Sequence, residues 1–393
     1  MSQHILEQAS AALGVRLVHS GDLALIGQAP RRALLVSRGA RNPTPDTSWL
    51  AHTIAATAHL HAKGEILVST AGRVAGDVAL WSCAKTNGRT IVVLDKAPKT
   101  EDGLADILPP RHLLIWPEHN AKRRSKKENL LCRDLLLGWL ADCAYAIYVR
   151  QSGNMARVVS LLNERRCAVE NWGRVELYSA KIGRKGKVKD SGQFEELAGW
   201  KPALQDYLTH FTREPDGAWL GESRSAYLQW LCSGTPFSPR DAFATLCRIL
   251  DERRLRACGR LMPGNSPMIC FTELPPLAVK SLRRWRSGLV RWSFTPYGLA
   301  IRKQCIQRLG GKPVRYVPPE ALKNVSASER SFIQPMNSGA EDWSAEAEWR
   351  IPGDVDLASI STDEMLAWVE TPEQAAYISK MFGIAAGTCL PGV

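Results

Sequence analysis

Short apolar segments alternate with helical ones over the first 170 residues, and this alternation constrains the fold more than any other feature. Residues 32–37, 65–69 and 90–94 are almost wholly apolar and predict strands, with predicted helices over 47–62 and 76–87 between them. The alternation continues with a helix over 130–141, a strand over 145–149, a helix over 154–164 and a strand over 167–169. Strands that are apolar throughout are typical of a parallel sheet covered by helices on both faces. We therefore predict an α/β domain.

The second half of the chain has a different character. With 393 residues the chain is too long for one ordinary core. Residues 179–193 are rich in Gly and Lys with almost no apolar content, which favours a domain boundary there. Beyond it we predict a helix over 243–255 and strands over 268–272, 298–301 and 313–317. The predicted organisation is a parallel-sheet domain over 1–178, a basic linker over 179–198 and an α+β domain over 199–393.

Several functional classes are excluded by the sequence. No run approaches the ~20 apolar residues that a membrane span needs, and the first residues lack the pattern of a signal peptide. The ten cysteines form no CxxC pair, which argues for reduced thiols and against structural zinc. We predict a soluble, cytoplasmic protein that binds no metal.

The positive charge predicts a polyanionic partner. The formal net charge is +12, and the basic residues lie in three clusters, near residues 122–127, 181–189 and 283–291. Tryptophans at 285 and 292 interleave the third cluster, a pattern that favours binding to a phosphate backbone. The alternative for each cluster is an ordinary solvated surface. The predicted DNA contacts are Arg123, Arg124, Lys126, Lys127, Lys185, Arg284 and Arg286.

Small residues follow three of the predicted parallel strands. Parallel sheets bind ligands at the carboxyl ends of their strands, where backbone N–H groups and helix amino termini meet an anion. The alternative is that Gly and Ser at these positions serve only as turn residues. The predicted phosphate-binding residues are Ser37 and Arg38 after the first strand, Ser69, Gly72, Arg73 and Gly76 after the second, and Ser152 and Gly153 after a later one.

Residues 34–95 carry an ordered series of motifs: Val36-Ser37-Arg38, Val68-Ser69, Ala75-Gly76-Asp77 and the segment 90–94. Asn129, Arg133 and the segment 152–154 continue the series. This order resembles the SLOG superfamily, in particular the bacterial DNA-processing protein A family. The resemblance implies a Rossmann-like fold and binding of single-stranded DNA. The PGGxGTxxE motif of the related phosphoribohydrolases is absent, although Asp77 with Arg73 stays a catalytic alternative because some SLOG domains cleave N-glycosidic bonds.

Candidate catalytic residues of the second half are His210, Tyr297, Glu273, Glu346 and Glu348. If residues 346–350 are extended, Glu346, Glu348 and Arg350 share one strand face. Two carboxylates at that spacing would raise the pKa of one of them, which suits acid–base chemistry. The alternatives are that Glu346 pairs with Arg350 on a solvated edge and that His210 is structural.

The order of His210-Phe-Thr, Phe-Thr-Glu273, Tyr297-Gly and Glu346-x-Glu348-Trp-Arg resembles the AbiGi-type antiphage family. More distantly it is similar to the ADP-ribosyltransferase fold, including DarT toxins. The resemblance implies that His210, Tyr297 and Glu346 or Glu348 hold a ribosyl group.

Together these features predict an antiphage DNA glycosylase that needs no cofactor. It would remove a base, most plainly a modified base of phage DNA, and leave an abasic site. The first alternative is an ADP-ribosyltransferase that uses NAD to modify DNA. The others are a DNA-binding protein without enzymatic activity and a sensor of signalling nucleotides.

Overall fold

The computed structural model describes two compact units. The described residues are 2–28, 30–37, 43–99, 103–118, 125–172, 206–233, 239–260, 262, 265–279, 282–283, 285–286, 291–326, 329–336 and 344–388. The first unit contains the described residues up to 172 together with 216–233, and the second contains 206–215 and the described residues from 239 onward.

The first unit is built on a seven-stranded sheet in the order β1-β5-β4-β3-β2-β6-β7. All neighbouring strands are parallel except β1, which runs antiparallel to β5 at the edge. The predicted Rossmann-like α/β fold is confirmed. The strands are β1 Leu17–Gly21, β2 Arg31–Val36, β3 Ile66–Thr70, β4 Arg89–Val93, β5 Arg111–Pro117, β6 Cys143–Tyr148 and β7 Ala168–Asn171.

The α-helices in the described part of the first unit are α1 Ser2–Leu13, α2 Leu25–Gln28, α3 Ser48–Ala62, α4 Val74–Lys85, α5 Lys126–Leu140, α6 Asn154–Glu164 and α7 Arg224–Cys232. Alternate residues of each strand enter two different cores. Leu34 and Leu67 pack with α3, α4 and α7, whereas Leu35 and Val68 pack with α1, α5 and α6. Because both faces of the central strands are buried, these strands are apolar at nearly every position rather than at alternate ones.

Helix α7 comes from the half of the sequence that we predicted to form the second domain. Its residues Tyr227, Leu228 and Leu231 are at most 6% exposed and belong to the core that α3 and α4 share. We predicted that all residues after 198 form one domain. The structure instead places 216–233 with the first unit, because the apolar face of α7 packs against α4.

Gly76 lies where α4 passes over the end of β3, and this close approach explains the glycine. A Cβ atom at this position would stand 1.9 Å from the carbonyl oxygen of Thr70. We expect Gly76→Ala to lower the free energy of unfolding by about 1–3 kcal/mol through overpacking, measured by urea denaturation.

Gly14→Ala is the matched control for this substitution. Gly14 has φ +59° and no atom within 4 Å of an added Cβ, so only backbone strain of about 1–2 kcal/mol applies there. A Gly76→Ala variant with unchanged stability would contradict the packing role of Gly76.

The second unit contains a mostly antiparallel seven-stranded sheet in the order β14-β17-β10-β8-β13-β19-β20, in which only β19 and β20 are parallel. The α+β character predicted for this half is confirmed. The helices are α8 Ala242–Asp251, α9 Pro276–Val279, α10 Lys303–Arg308 and α11 Pro372–Phe382. The strands are β8 Tyr207–Phe211, β9 Arg254–Leu255, β10 Met268–Thr272, β11 Trp285–Arg286, β12 Arg291–Trp292, β13 Gly298–Arg302, β14 Lys312–Pro313, β15 Arg315–Val317, β16 Ile333–Pro335, β17 Glu348–Pro352, β18 Val355–Asp356, β19 Met365–Val369 and β20 Ala385–Thr388.

One face of the second sheet carries the main core of this unit. Leu208, Phe271, Leu299 and Trp349 project into this core, which α8, α10 and α11 complete. The segment that we predicted as one strand over 313–317 is divided between β14 and β15, which belong to different sheets. Within the described part of the chain, no helix has the length and apolar character to cross a membrane.

Candidate phosphate-binding site and predicted catalytic residues

The strand order of the first sheet reverses at β2, which lies between β3 and β6. Ser37 follows β2 directly and links the end of β2 to the end of β6. Its N–H donates to the carbonyl of Tyr148 at 2.6 Å, and its hydroxyl accepts from the N–H of Arg150 at 2.9 Å. Ser37 is 8% exposed, so it joins the two strand ends. Arg38 lies outside the described residues.

Four of the predicted phosphate-binding residues lie at the junction of β3 and α4: Ser69 in the strand, Gly72 and Arg73 in the loop, and Gly76 in the helix. Ser69 is 2% exposed, and its hydroxyl donates to the neighbouring carbonyl of Thr70. Gly72 adopts φ +84°, and its N–H donates to Oδ1 of Asp77 at 3.0 Å. Arg73 is exposed and directly precedes α4. Of these residues, Arg73 is therefore the one whose charged group is available to a ligand.

A cavity of about 380 Å³ opens beside this loop, at the carboxyl ends of β3 and β4. Four cationic side chains and one carboxylate line it. The positive end of the α4 dipole adjoins the cavity at Arg73, which also favours an anion. The lining residues are Ala71, Gly72, Arg73, Leu94, Asp95, Lys96, Ala97, Pro98, Leu104, Leu130, Arg133 and Arg224.

Arg133 is held rigidly at the wall of the cavity. It is 6% exposed, and its Nε and Nη2 donate to Oδ1 of Asp134 at 2.9 and 2.6 Å. Its Nη1 donates to the carbonyl of Ala71 at 3.3 Å, which ties it to the β3–α4 loop. Asn154 of α6 donates to the other oxygen of Asp134 at 2.8 Å. This network fixes the guanidinium of Arg133, paired with the buried carboxylate of Asp134, beside the cavity.

Asp77 connects the loop to α7. Its Oδ2 forms an ion pair with Arg224, while its Oδ1 accepts from Gly72. Burial raises the pKa of the Asp77 carboxyl, and Arg224, the N–H of Gly72 and Arg133 act in the opposite direction. Asp77 does not line the cavity, and both of its oxygens have protein partners. The geometry therefore gives Asp77 an organising role, whereas we predicted a catalytic alternative.

Sequence reasoning missed Lys96 and Arg224. Arg133 entered only as part of a motif, although the Arg133-Asp134 pair inside an apolar helix was a usable signal. Arg224 has no such local signal, because its partner Asp77 lies far away in the sequence. Ser37, Ser152 and Gly153 do not line the cavity. Ser152 and Gly153 are exposed at the amino terminus of α6.

Comparison with known proteins shows similarity to solved structures with Rossmann-like folds, among them the three described below, which match the amino-terminal part of this chain. DNA processing protein A from Helicobacter pylori, solved for its single-stranded DNA binding mode, is 18% identical with a TM-score of 0.32, over 39% of this chain and 69% of that one. DprA from Streptococcus pneumoniae is 18% identical with a TM-score of 0.33, over 39% of this chain and 53% of that one.

The Moco carrier protein of Chlamydomonas rheinhardtii is 15% identical with a TM-score of 0.26, over 38% of this chain and 79% of that one. This chain thus spans about half the length of the Streptococcus pneumoniae protein. No protein-family model matches the chain, and no curated protein matches it. The resemblance of the second half to AbiGi-type and DarT proteins stays a prediction.

The predicted catalytic residues of the second unit are distributed over both faces of its sheet. His210 lies on the same face as Leu208, so its ring contacts Phe271 in the core. Its Nδ1 is 2.8 Å from the carbonyl oxygen of Cys270, and burial lowers the pKa of the imidazole. These contacts agree with the structural alternative for His210.

Tyr297 borders the same core and is hydrogen-bonded to Glu370, two residues before α11, and to Gln374 within α11. Its hydroxyl donates to Oε2 of Glu370 at 2.6 Å and accepts from Gln374 at 3.3 Å. Burial, and then the hydrogen bond to Glu370, raise the pKa of the phenol.

Glu346 and Glu348 do not share a strand face, contrary to the prediction. Ala347 adopts φ +42° and Glu346 ends a 3-10 turn over Ser344–Glu346, so the strand begins only at Glu348. Glu348 pairs with Thr272, which in turn pairs with Thr209, so Glu348 lies on the face opposite His210.

Glu348 forms a bidentate ion pair with Arg350, with Nε–Oε1 and Nη2–Oε2 distances of 3.0 and 2.8 Å. Arg350 is 2% exposed and also donates to the carbonyl of Ser331. The predicted pairing of a glutamate with Arg350 is thus present, but the partner is Glu348, and Arg350 is buried while Glu348 is partly buried.

Glu273 has its own partners at the end of β10. Its carboxylate accepts from Nζ of Lys303 and from Nε1 of Trp349, the latter at 2.9 Å. The hydrogen bond from Lys303 lowers the pKa of Glu273. The structure therefore does not bring His210, Tyr297, Glu273 and Glu348 together in one site.

The predicted DNA-binding residues are only partly placed. Arg123, Arg124, Lys185 and Arg284 lie outside the described residues. Lys126 is the first residue of α5, Lys127 is exposed in its first turn, and Arg286 lies in β11. Among the described residues, no group of three or more His, Cys, Asp or Glu side chains is arranged to hold a metal ion.

Proposed function

We propose that the first unit binds the phosphate groups of single-stranded DNA in the cavity at the carboxyl ends of β3 and β4. The observation that carries this proposal is the lining of Arg73, Lys96, Arg133 and Arg224 around a cavity of about 380 Å³. Guanidinium groups bind phosphate oxygens through charge-assisted, often bidentate hydrogen bonds. The net charge of +12 supports a polyanionic partner over a small neutral one.

The size of the cavity favours a single strand over a duplex. Its volume lies at the lower end of the ~300–1,000 Å³ that is typical of ligand pockets. A B-DNA duplex cannot enter such a space, whereas one nucleotide of a flexible strand can. Neither Arg73 nor Lys96 forms an ion pair with a carboxylate of the described chain, so both charges are available to neutralise phosphates.

Removal of either of these two charges should weaken DNA binding. We expect Arg73→Gln and Lys96→Gln each to lower the affinity for a fluorescent oligothymidylate. Each should also reduce the slope of log K against log salt by about 0.7, the value for one lost phosphate contact on a single strand. Fluorescence anisotropy over a series of salt concentrations measures both quantities.

Lys63→Gln is the matched control, because Lys63 is exposed at the carboxyl end of α3, before the start of β3 at the other edge of the sheet. If all three variants bind and respond to salt alike, the cavity is not the binding site. Loss of affinity with an unchanged salt slope would also argue against a direct phosphate contact.

Base removal and NAD-dependent transfer stay predictions for the second unit. The resemblance offers Glu346 or Glu348 as the partner of His210 and Tyr297, and of these two Glu348 lies on the face of the sheet opposite His210. Incubation with modified phage DNA followed by alkali would reveal abasic sites as strand breaks. A gain in the mass of DNA with consumption of NAD would reveal transfer.

A further inference from the structure

The cavity of the first unit is completed by a segment that lies far from it in the sequence. Arg224 is the first residue of α7, and Ser223 caps this helix by accepting a hydrogen bond from the N–H of Ala226. The ion pair between Arg224 and Asp77 joins α7 to the β3–α4 loop, which itself lines the cavity. The ligand site and the attachment of α7 therefore share one side chain.

We propose that Arg224 binds a phosphate of the ligand and thereby fastens α7 to the first unit, so that occupancy of the cavity controls the release of segment 216–233. This inference rests on the proposed function of the cavity. A guanidinium has five N–H donors, so Arg224 can serve Asp77 and a phosphate at the same time. The ligand then binds the form with α7 attached more tightly than the form with α7 released.

Helix α7 is suited to such control. It has nine residues, fewer than the ~12–15 that an isolated helix needs to be stable in water, so its structure depends on its contacts. Those contacts include the apolar side chains of Tyr227, Leu228 and Leu231 and the ion pair of Arg224 with Asp77. Local release of such an element is an ordinary motion of folded proteins.

The position of α7 in the chain gives this release a consequence. Segment 216–233 follows β8 closely and precedes α8, and both of these elements belong to the second unit. A ligand that holds α7 in place therefore restrains a segment that lies between β8 and α8 in the chain. Occupancy of the cavity is in this way linked to the segment that connects two elements of the second unit.

Hydrogen exchange of the full-length protein tests the proposal directly. The probes are inorganic pyrophosphate and a 5′-phosphorylated oligothymidylate, each added at about 100 times its dissociation constant. Exchange in residues 224–232 should then slow by up to about 100-fold, because a ligand that binds only the attached form reduces the released population by the factor 1 + [L]/Kd.

Variants at both ends of the ion pair separate binding from attachment. Arg224→Gln should weaken binding of the probes by at least about tenfold, as expected for loss of a charged hydrogen bond, and should abolish the protection of α7. Asp77→Asn should speed the exchange of α7 without probe, and the probe should restore much of the protection. Lys63→Gln is the control, and Arg224→Lys, which retains the charge, should keep part of the binding if Arg224→Gln is poorly folded.

The outcomes distinguish this inference from the proposed function. Binding that depends on Arg73 and Lys96 but leaves the exchange of α7 unchanged overturns the inference and leaves the proposed function standing. Binding of neither probe overturns both. Slower exchange of α7 that persists in Arg224→Gln would show that the protection does not pass through this side chain, which also overturns the inference.

Discussion

Leu228→Ala and Leu231→Ala are each expected to destabilise the first unit by about 2–5 kcal/mol, the usual cost of emptying a buried leucine site. Leu228 is 1% exposed and Leu231 is 0% exposed, and both pack in the core formed with α3 and α4. A change of this size is a large fraction of the ~5–15 kcal/mol that stabilises an ordinary domain. Urea denaturation, followed by a probe of the first unit, measures the loss.

Gln229→Ala on the same helix is the matched control, because Gln229 is exposed. It should change the stability by less than about 0.5 kcal/mol. If the two leucine variants unfold at the same urea concentration as this control, α7 does not belong to the cooperative core of the first unit. In that case its release could not be linked to the cavity either.

The second large effect is expected in the second unit, where Glu348→Ala leaves the charge of Arg350 without its carboxylate. Arg350 is 2% exposed, and loss of one partner from a buried ion pair costs about 3–5 kcal/mol. Burial lowers the pKa of Arg350 and Glu348 raises it, so the variant loses the group that opposes the effect of burial. The guanidinium nevertheless stays charged, because an arginine side chain is not deprotonated in proteins. Thermal and urea denaturation should both show the loss.

A double variant tests the cause of this loss. Glu348→Met with Arg350→Met removes both charges, and we expect it to recover at least half of the stability lost in Glu348→Ala. Glu320→Ala, at an exposed position of the same unit, should have almost no effect. Equal destabilisation of the single and double variants would contradict the explanation by an unpaired buried charge.

This result bears on any assay of base removal or ADP-ribosyl transfer. A Glu348 variant that loses activity has also lost the partner of Arg350, so its folding must be measured beside its activity. Variants of Glu273 and Tyr297 need the same measurement of folding. Glu273 is hydrogen-bonded to Lys303 and Trp349, and Tyr297 is hydrogen-bonded to Glu370. A catalytic role is separated from a structural one only in variants that remain folded.

The sequence predicted the strands best where both faces of a strand are buried. Residues 66–70 and 89–93 enter two cores at once, so their apolar runs predicted β3 and β4 almost to the residue. In the second unit, local pattern was a weaker guide. Ala347 adopts a left-handed conformation that residue type does not announce, and this one residue removes Glu346 from the strand that carries Glu348.

The candidate site was predictable only in part, for a related reason. Arg73 follows a parallel strand and precedes a helix, so its place at the carboxyl edge could be inferred from local sequence. The contributions of Lys96 and Arg224 depend on how distant segments meet. No periodicity within α7 indicates that Tyr227 and Leu228 belong to a core that is built mainly from the first 150 residues.

The placement of α7 also determines how this chain can be cut or recombined. The backbone passes from the first unit to the second after residue 172, returns at 216–233, and leaves again before 239. A single cut, fusion or exchange at the boundary suggested by composition would thus separate the first unit from one of its own helices and from Arg224. Expression of the first half alone, or its transfer to another protein, requires segment 216–233 to be joined to it. Expression or transfer of the second half requires a linker in place of that segment.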